Sequence, residues 1–269
     1  MRKTVILLTT IGVAALARAT AGAGPPPPHH VLPPPRDFVA RVDNPWFPLT
    51  PGTVLTSKGE SDGTPVTDVF TVTHQTKTIK GVRATVIDDR VLTHGRVTER
   101  TSDWYAQDKA GNVWYLGEKT ATYKADGSVE SREGSWQAGA NGGIAGIFMP
   151  AHPKVGQSAE QEYYAGHAQD TFKILRFNVR VHTPGTSSRH AMLVQETTPL
   201  EPGVLDHKIY VRGVGTVREE TVKGGNERLE LVSVGAAPLR QTGERRPSRS
   251  VVARALPVER LALTPPRPR

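Results

Sequence analysis

The chain has 269 residues, enough for one large β domain or two small ones. It has no Cys, which excludes disulfides, thiolate metal sites, Cys nucleophiles and a lipid-modified Cys. The net charge of +8 resides at the ends, +3 on residues 1–23 and +6 on residues 236–269, so residues 24–235 carry −1, a near-neutral sum that argues against a specific nucleic-acid binder.

The chain begins as a secretory signal. Arg2 and Lys3 precede an apolar run from Val5 to Ala17, and two Ala-x-Ala sites follow, at Ala19–Ala21 and Ala21–Ala23. The run is shorter than the roughly 20 residues a membrane span needs, and Thr9 and Thr10 interrupt it. Cleavage is expected to leave a mature protein that begins at Gly22 or Gly24, is secreted, periplasmic or in the cell envelope, and has no transmembrane segment. Residues 24–36 read as a Pro-rich linker in polyproline-II form, where His29 and His30 lack the ordered geometry of a metal site.

Residues 37–235 read as one β domain. It opens on Asp43-Asn44-Pro45-Trp46-Phe47-Pro48-Leu49, whose prolines forbid a central strand and whose aromatic residues need burial. An ordered lead-in across an open end of the sheet is expected, with a ligand-gripping lip as the alternative. Turn signals follow at Asp62-Gly63, Lys80-Gly81, His94-Gly95, Ala110-Gly111 and Asp126-Gly127. Between them lie alternating segments, such as Val66, Asp68, Phe70 and Val72 against Thr67, Val69, Thr71 and Thr73.

Asp103 to Glu118 predicts a β-hairpin with a five-residue loop, Asp108 to Asn112. That register sets Gln107 opposite Val113, Ala106 opposite Trp114, Tyr105 opposite Tyr115 and Trp104 opposite Leu116. Trp104, Ala106, Trp114 and Leu116 then share one face, and Tyr105 and Tyr115 the other. Ala138 to Gly146 reads as a glycine-rich loop between two halves of the sheet, without the Gly-Lys-Ser/Thr ending of a phosphate-binding loop. Strands resume at Ser158–Ala165 and Lys173–His182 and continue to Arg228–Val234. The fold class predicted is all-β: a single strongly curled antiparallel sheet, half-barrel or barrel, of about 10–11 strands and largely a meander. Residues 236–269, with eight Arg and two Glu, read as a disordered basic tail.

Five segments resemble an uncharacterised family of exported bacterial β-rich proteins. They are Asp43–Leu49, Asp103–Tyr115, Met149–Gly156, Thr198–Val204 and Gly213–Gly215. The resemblance covers about residues 37–235. It implies export and a β fold and brings no catalytic residue with it. It also implies that Glu often stands in the place of His167, and that the tail is an addition.

Three function classes follow. The first is a non-catalytic carrier of an apolar or amphiphilic ligand in the concave face of the sheet, gripped by Trp104, Trp114, Leu116 and Trp46. The second is a metal-assisted hydrolase on His152, Glu162, His167 and Asp170, which are rich in ligands for a divalent ion but match no named metal motif. The third is an envelope interaction protein whose tail binds anionic polymers. Catalysis by other routes has less support. No Gly-x-Ser-x-Gly elbow occurs. In the expected register Asp103 meets Gly117, so Asp103 and Glu118 do not face each other as a glycosidase pair.

Overall fold

The structure is a computed structural model and describes residues 29–237. The expectations for the signal, and for the tail beyond Ala237, lie outside the described residues. Fifteen strands form one antiparallel sheet: β1 Thr53–Ser61, β2 Thr64–Ile79, β3 Val82–Thr93, β4 Arg96–Gln107, β5 Val113–Tyr123, β6 Val129–Ser131, β7 Trp136–Gln137, β8 Ile144–Met149, β9 Ser158–Glu160, β10 Glu162–Tyr163, β11 Thr171–Thr183, β12 Thr186–Thr197, β13 Leu205–Val211, β14 Gly215–Lys223 and β15 Arg228–Ala236. Their order is β10-β8-β5-β4-β3-β2-β1-β15-β14-β13-β12-β11-β9, with β6 and β7 on β5. The sheet is all-β and strongly continuous, and it does not close as a barrel. Its two ends nevertheless adjoin, because β9 and β10 are separated in the chain by Gln161 alone. Gly146 of β8 lies against this joint so closely that a Cβ would stand 2.3 Å from the Glu160 carbonyl oxygen.

The meander is written in its turns. Asp62-Gly63, Lys80-Gly81 and His94-Gly95 all have positive φ at both residues, the signature of type I′ hairpins that match strand twist. The count exceeds the expected 10–11 for two reasons. Four segments of two or three residues are separate strands, and two strands were not expected, β1 and β8. The residues of β1 are mostly half-exposed, so it shows no strong alternation. β8, Ile-Ala-Gly-Ile-Phe-Met, begins inside the glycine-rich break, and Gly146 there serves close approach and not looseness. No helix forms near residue 170 among the described residues, and Thr171 opens β11.

The lead-in packs as expected across the domain: Val42, Trp46, Phe47 and Leu49 are buried. The Pro-rich stretch does not act wholly as a spacer. Leu32 packs on the core, Pro35 touches Gly81, and Phe38 bridges to Asp108. At the other end β15 runs to Ala236, paired with Thr53, one residue beyond the expected domain limit.

In the central hairpin, Gln107 meets Val113, Ala106 meets Trp114 and Tyr105 meets Tyr115. The expected register then breaks, and Asp103 pairs with Glu118, not Gly117. Gly117 causes the shift. Its φ is +129°, and a Cβ there would stand 2.4 Å from the Trp136 carbonyl oxygen, so only glycine fits this bulge.

Candidate functional site

The resemblance segments meet in space. The Asn44 amide donates to the Gly111 and Pro150 carbonyls, at 2.9 and 3.0 Å. Gln107 Oε1 accepts from the Asp43 and Asn44 backbone N–H groups, and Gln107 Nε2 donates to Asp43 Oδ1. The Ala151 N–H donates to Asn112 Oδ1, and the Gly213 N–H to the Pro45 carbonyl. Asp108 accepts from Trp114 Nε1 and from the Asn112 amide. Four of the five segments thus form a clasp whose polar groups satisfy one another. Their residue types are explained by folding.

Beside the clasp lies the candidate site. A cavity of about 40 Å³ is lined by Phe47, Leu55, Phe70, Tyr105, Phe148 and Leu229 on its apolar side, and by Asp68, Lys208, Arg218 and Glu219 on its polar side. A single water needs about 10–15 Å³ by this measure, so the space suits about three waters and not an acyl chain. The interior is largely filled, whereas a carrier of an apolar ligand in the concave face needs a partly hollow one. Phe47 of the lead-in reaches in against Phe70, Tyr105 and Phe148, and Tyr105 stacks on Tyr115 with centroids 4.6 Å apart.

The concave face is also less apolar than expected. Along β2, β3 and β4, the alternate buried positions include Asp68, Asp89, Glu99, Thr101 and Asp103. Glu118 on β5 continues this row, opposite Asp103. Burial, aided by neighbouring acids, pushes Asp68 up to about 7 and both Glu99 and Asp103 up to about 8. Burial raises Asp89 still more strongly, with Asp68 next in effect. Asp68 Oδ1 and both Asp89 carboxyl oxygens face no fixed donor, and a hydrogen bond between the two carboxyls requires one of them to be protonated, which the upward shifts of both favour. Tyr115 Oη donates to Asp103 at 2.6 Å.

Across the interior the solution differs. Lys208 of β13 is buried and reaches Glu196 at 2.8 Å and Glu219 at 3.9 Å. Burial works to lower the Lys208 ammonium, but the two carboxylates hold it well above its ordinary range. Gln161, at the joint of β9 and β10, donates to the same Glu196 at 3.1 Å.

Each predicted site residue has a definite place. The two faces of the hairpin separate as expected, but the tyrosine face is the one that meets the cavity. Trp104, Trp114, Leu116 and Trp46 are all buried, and none lines the cavity. The Lys77 ammonium sits 3.1 Å from the Trp104 ring centroid, Phe38 and His30 cover Trp114, and Arg212 and Phe177 cover Trp46. The reason is polar: the interior acids need hydroxyl donors, which Tyr115 supplies.

The metal candidates do not converge. Among the described residues, no three His, Cys, Asp or Glu are placed to hold an ion. His152 is exposed, and His167 Nδ1 pairs at the surface with Glu133, 2.6 Å away. Glu162 is fully buried and accepts from Trp136 Nε1. Burial and the nearby Asp170 raise Glu162, and burial with Glu196 pushes Asp170 up to about 7. Asp103 and Glu118 do face each other, correcting the register that set them apart. Each is only 1 % exposed, which denies a sugar access.

Sequence reasoning missed Asp68, Asp89, Lys208 and Glu219. The alternation around Asp68 was visible, and an acid at the core phase of a strand was the available signal. No protein-family model matches the chain, and no curated protein matches it. Two solved structures are similar. One is a Bacteroides fragilis protein described as exported with a YmcC-like fold, at 14% identity and TM-score 0.44, covering 71% of this chain and 98% of its own. The other is a Parabacteroides distasonis protein described as a lipoprotein, at 13% identity and TM-score 0.37, with the same coverage.

Proposed function

We propose that this is an exported, non-catalytic binding domain that takes a small amphiphilic ligand with a cationic or strongly donating end. The observation that carries the reading is the two-sided cavity, with Phe47, Leu55, Phe70 and Leu229 facing Asp68 and Glu219. Lys208 is already engaged by two carboxylates, whereas the charged groups that shift Asp68 are all acids, Asp89, Glu219, Glu99 and Asp103. An ammonium group entering there replaces the shared proton and forms a charge-assisted hydrogen bond. The small volume limits the ligand to one modest group inside, with no room for a whole lipid. Export rests on the charged start, apolar run and Ala-x-Ala sites at the N-terminus.

Calorimetry with propylamine and propanol, probes short enough for this space, tests this. Propylamine binds, propanol binds more weakly, and Asp68→Asn weakens propylamine by roughly tenfold or more, the value of a buried charged hydrogen bond. Equal binding of the two probes, or none by propylamine, would remove the reading.

A further inference from the structure

The β11–β12 hairpin is a strongly positive patch on a domain that is near neutral only in sum. Residues 171–190 contain Lys173, Arg176, Arg180 and Arg189 and no acid. All four cations are exposed. Near the hairpin tip Val181 pairs with Ser188 and His182 with Ser187, while Val179 pairs with Ala191. The irregular register between these pairs sets Arg180 and Arg189 on adjoining strands at the same level. Like charges placed across a sheet destabilise it, so the arrangement is costly without a counter-charge. Neither guanidinium has an ion-pair partner among the described residues. The nearby acid Glu230 is held by Arg218 at 2.7 Å and by Arg228 at 2.6 Å.

These side chains line a shallow surface groove. Arg180, His182, Ser187, Ser188 and Arg189 line an open depression of about 510 Å³, wide enough for more than one phosphate group. His182 Nδ1 hydrogen-bonds Ser187 Oγ at 2.6 Å, and Arg218 donates to the His182 carbonyl at 3.1 Å, which fixes the groove wall. Two guanidiniums with adjacent hydroxyls are the donor set that recognises phosphate oxygens. No large exposed apolar side chain lies on residues 171–190, so nothing there inserts into a bilayer.

We infer that this hairpin groove binds successive phosphate groups of a linear, soluble polyanion. The site is separate from the interior cavity and does not depend on a ligand there.

The test titrates fluorescently labelled inorganic polyphosphate into the full-length chain across a salt series. Arg180→Glu with Arg189→Glu is compared with Arg83→Glu with Arg132→Glu, which makes the same change in net charge at other exposed positions. The hairpin pair is expected to weaken binding by roughly tenfold or more and to flatten the salt dependence, because fewer counterions are released. The control pair is expected to shift affinity by no more than about twofold, through long-range charge that salt screens. A second measurement uses the unaltered chain. Polyphosphate should protect Arg180 and Arg189 from phenylglyoxal and leave Arg83 reactive, read by peptide mass spectrometry. Equal losses for the two pairs, absence of binding, or unprotected hairpin arginines would overturn the inference. So would binding to phosphatidylglycerol vesicles without binding to polyphosphate.

Discussion

The two sides of the interior bury carboxyl groups by different means. On β2 to β4, Asp68, Asp89, Glu99 and Asp103 lie among acids, with hydroxyls and shared protons as their partners and no cation among the groups that shift them. On β12 to β14, Glu196 and Glu219 flank a buried lysine. A desolvated acid is tolerated when it is neutral or when it is paired, and this sheet uses each solution once. The first solution depends on pH through all of its acids, and the second through Glu219, which burial pushes up to about 7 against the pull of Lys208. The first side is therefore the more adjustable one, and Asp68 is its member that meets the cavity.

Removing the lysine breaks the paired side most severely. Lys208→Met leaves two carboxylates buried without their cation and should cost about 3–5 kcal/mol in urea unfolding. Lower pH should restore part of the loss. A loss under about 1 kcal/mol would mean that water reaches this side.

The neutral side is exposed by pH. Asp68, Glu99 and Asp103 have folded-state values of about 7 to 8, against ordinary values of 3.8 to 4.5. Between those limits the folded state holds protons that the unfolded state has released, so stability falls as pH rises from about 5 to about 8. Each such group contributes a slope of about 1.4 kcal/mol per pH unit at most. Asp89→Asn, which mimics the protonated acid, should gain about 1–3 kcal/mol at pH 8, and little at pH 4. A flat stability profile from pH 5 to pH 8 in the parent protein would contradict the shared-proton account.

The smallest change sharpens the role of hydroxyl donors. Tyr115→Phe removes the 2.6 Å bond to Asp103 and keeps the ring in its stack on Tyr105. It should cost about 1 kcal/mol and raise the pH at which Asp103 ionises, followed by carboxyl NMR.

Much of this was legible in the sequence. The type I′ turns, the burial of Val66, Asp68, Phe70 and Val72, and the first three pairs of the central hairpin all follow from local patterns. The bulge at Gly117 was not legible, because its need for glycine arises from Trp136, nineteen residues further on. β8 was hidden because a glycine used for close backbone approach looks like one used for a loop. In the site, Trp104 and Trp114 suggested a ligand platform, since large aromatic rings contribute apolar area wherever they sit. What covers them is Lys77, His30 and Phe38, which lie far from them in the chain. The meeting of Lys208 with Glu196 and Glu219 likewise depends on strand neighbours and not on spacing.

The ladder between β1 and β15 has a consequence for how the domain is assembled. It joins Thr53 to Ala236 and Glu60 to Arg228, uniting the two ends of the sheet's strand sequence. Every other long strand pairs with a near neighbour in the chain, so those hairpins can form early and locally. The β1–β15 pairing must wait until Arg228–Ala236 is present. A chain that arrives N-terminus first therefore carries β1 with one open edge until Arg228–Ala236 has arrived, and completes its core only then. At that same moment Leu229 takes its place in the cavity wall, so the cavity is finished by the last of the described strands.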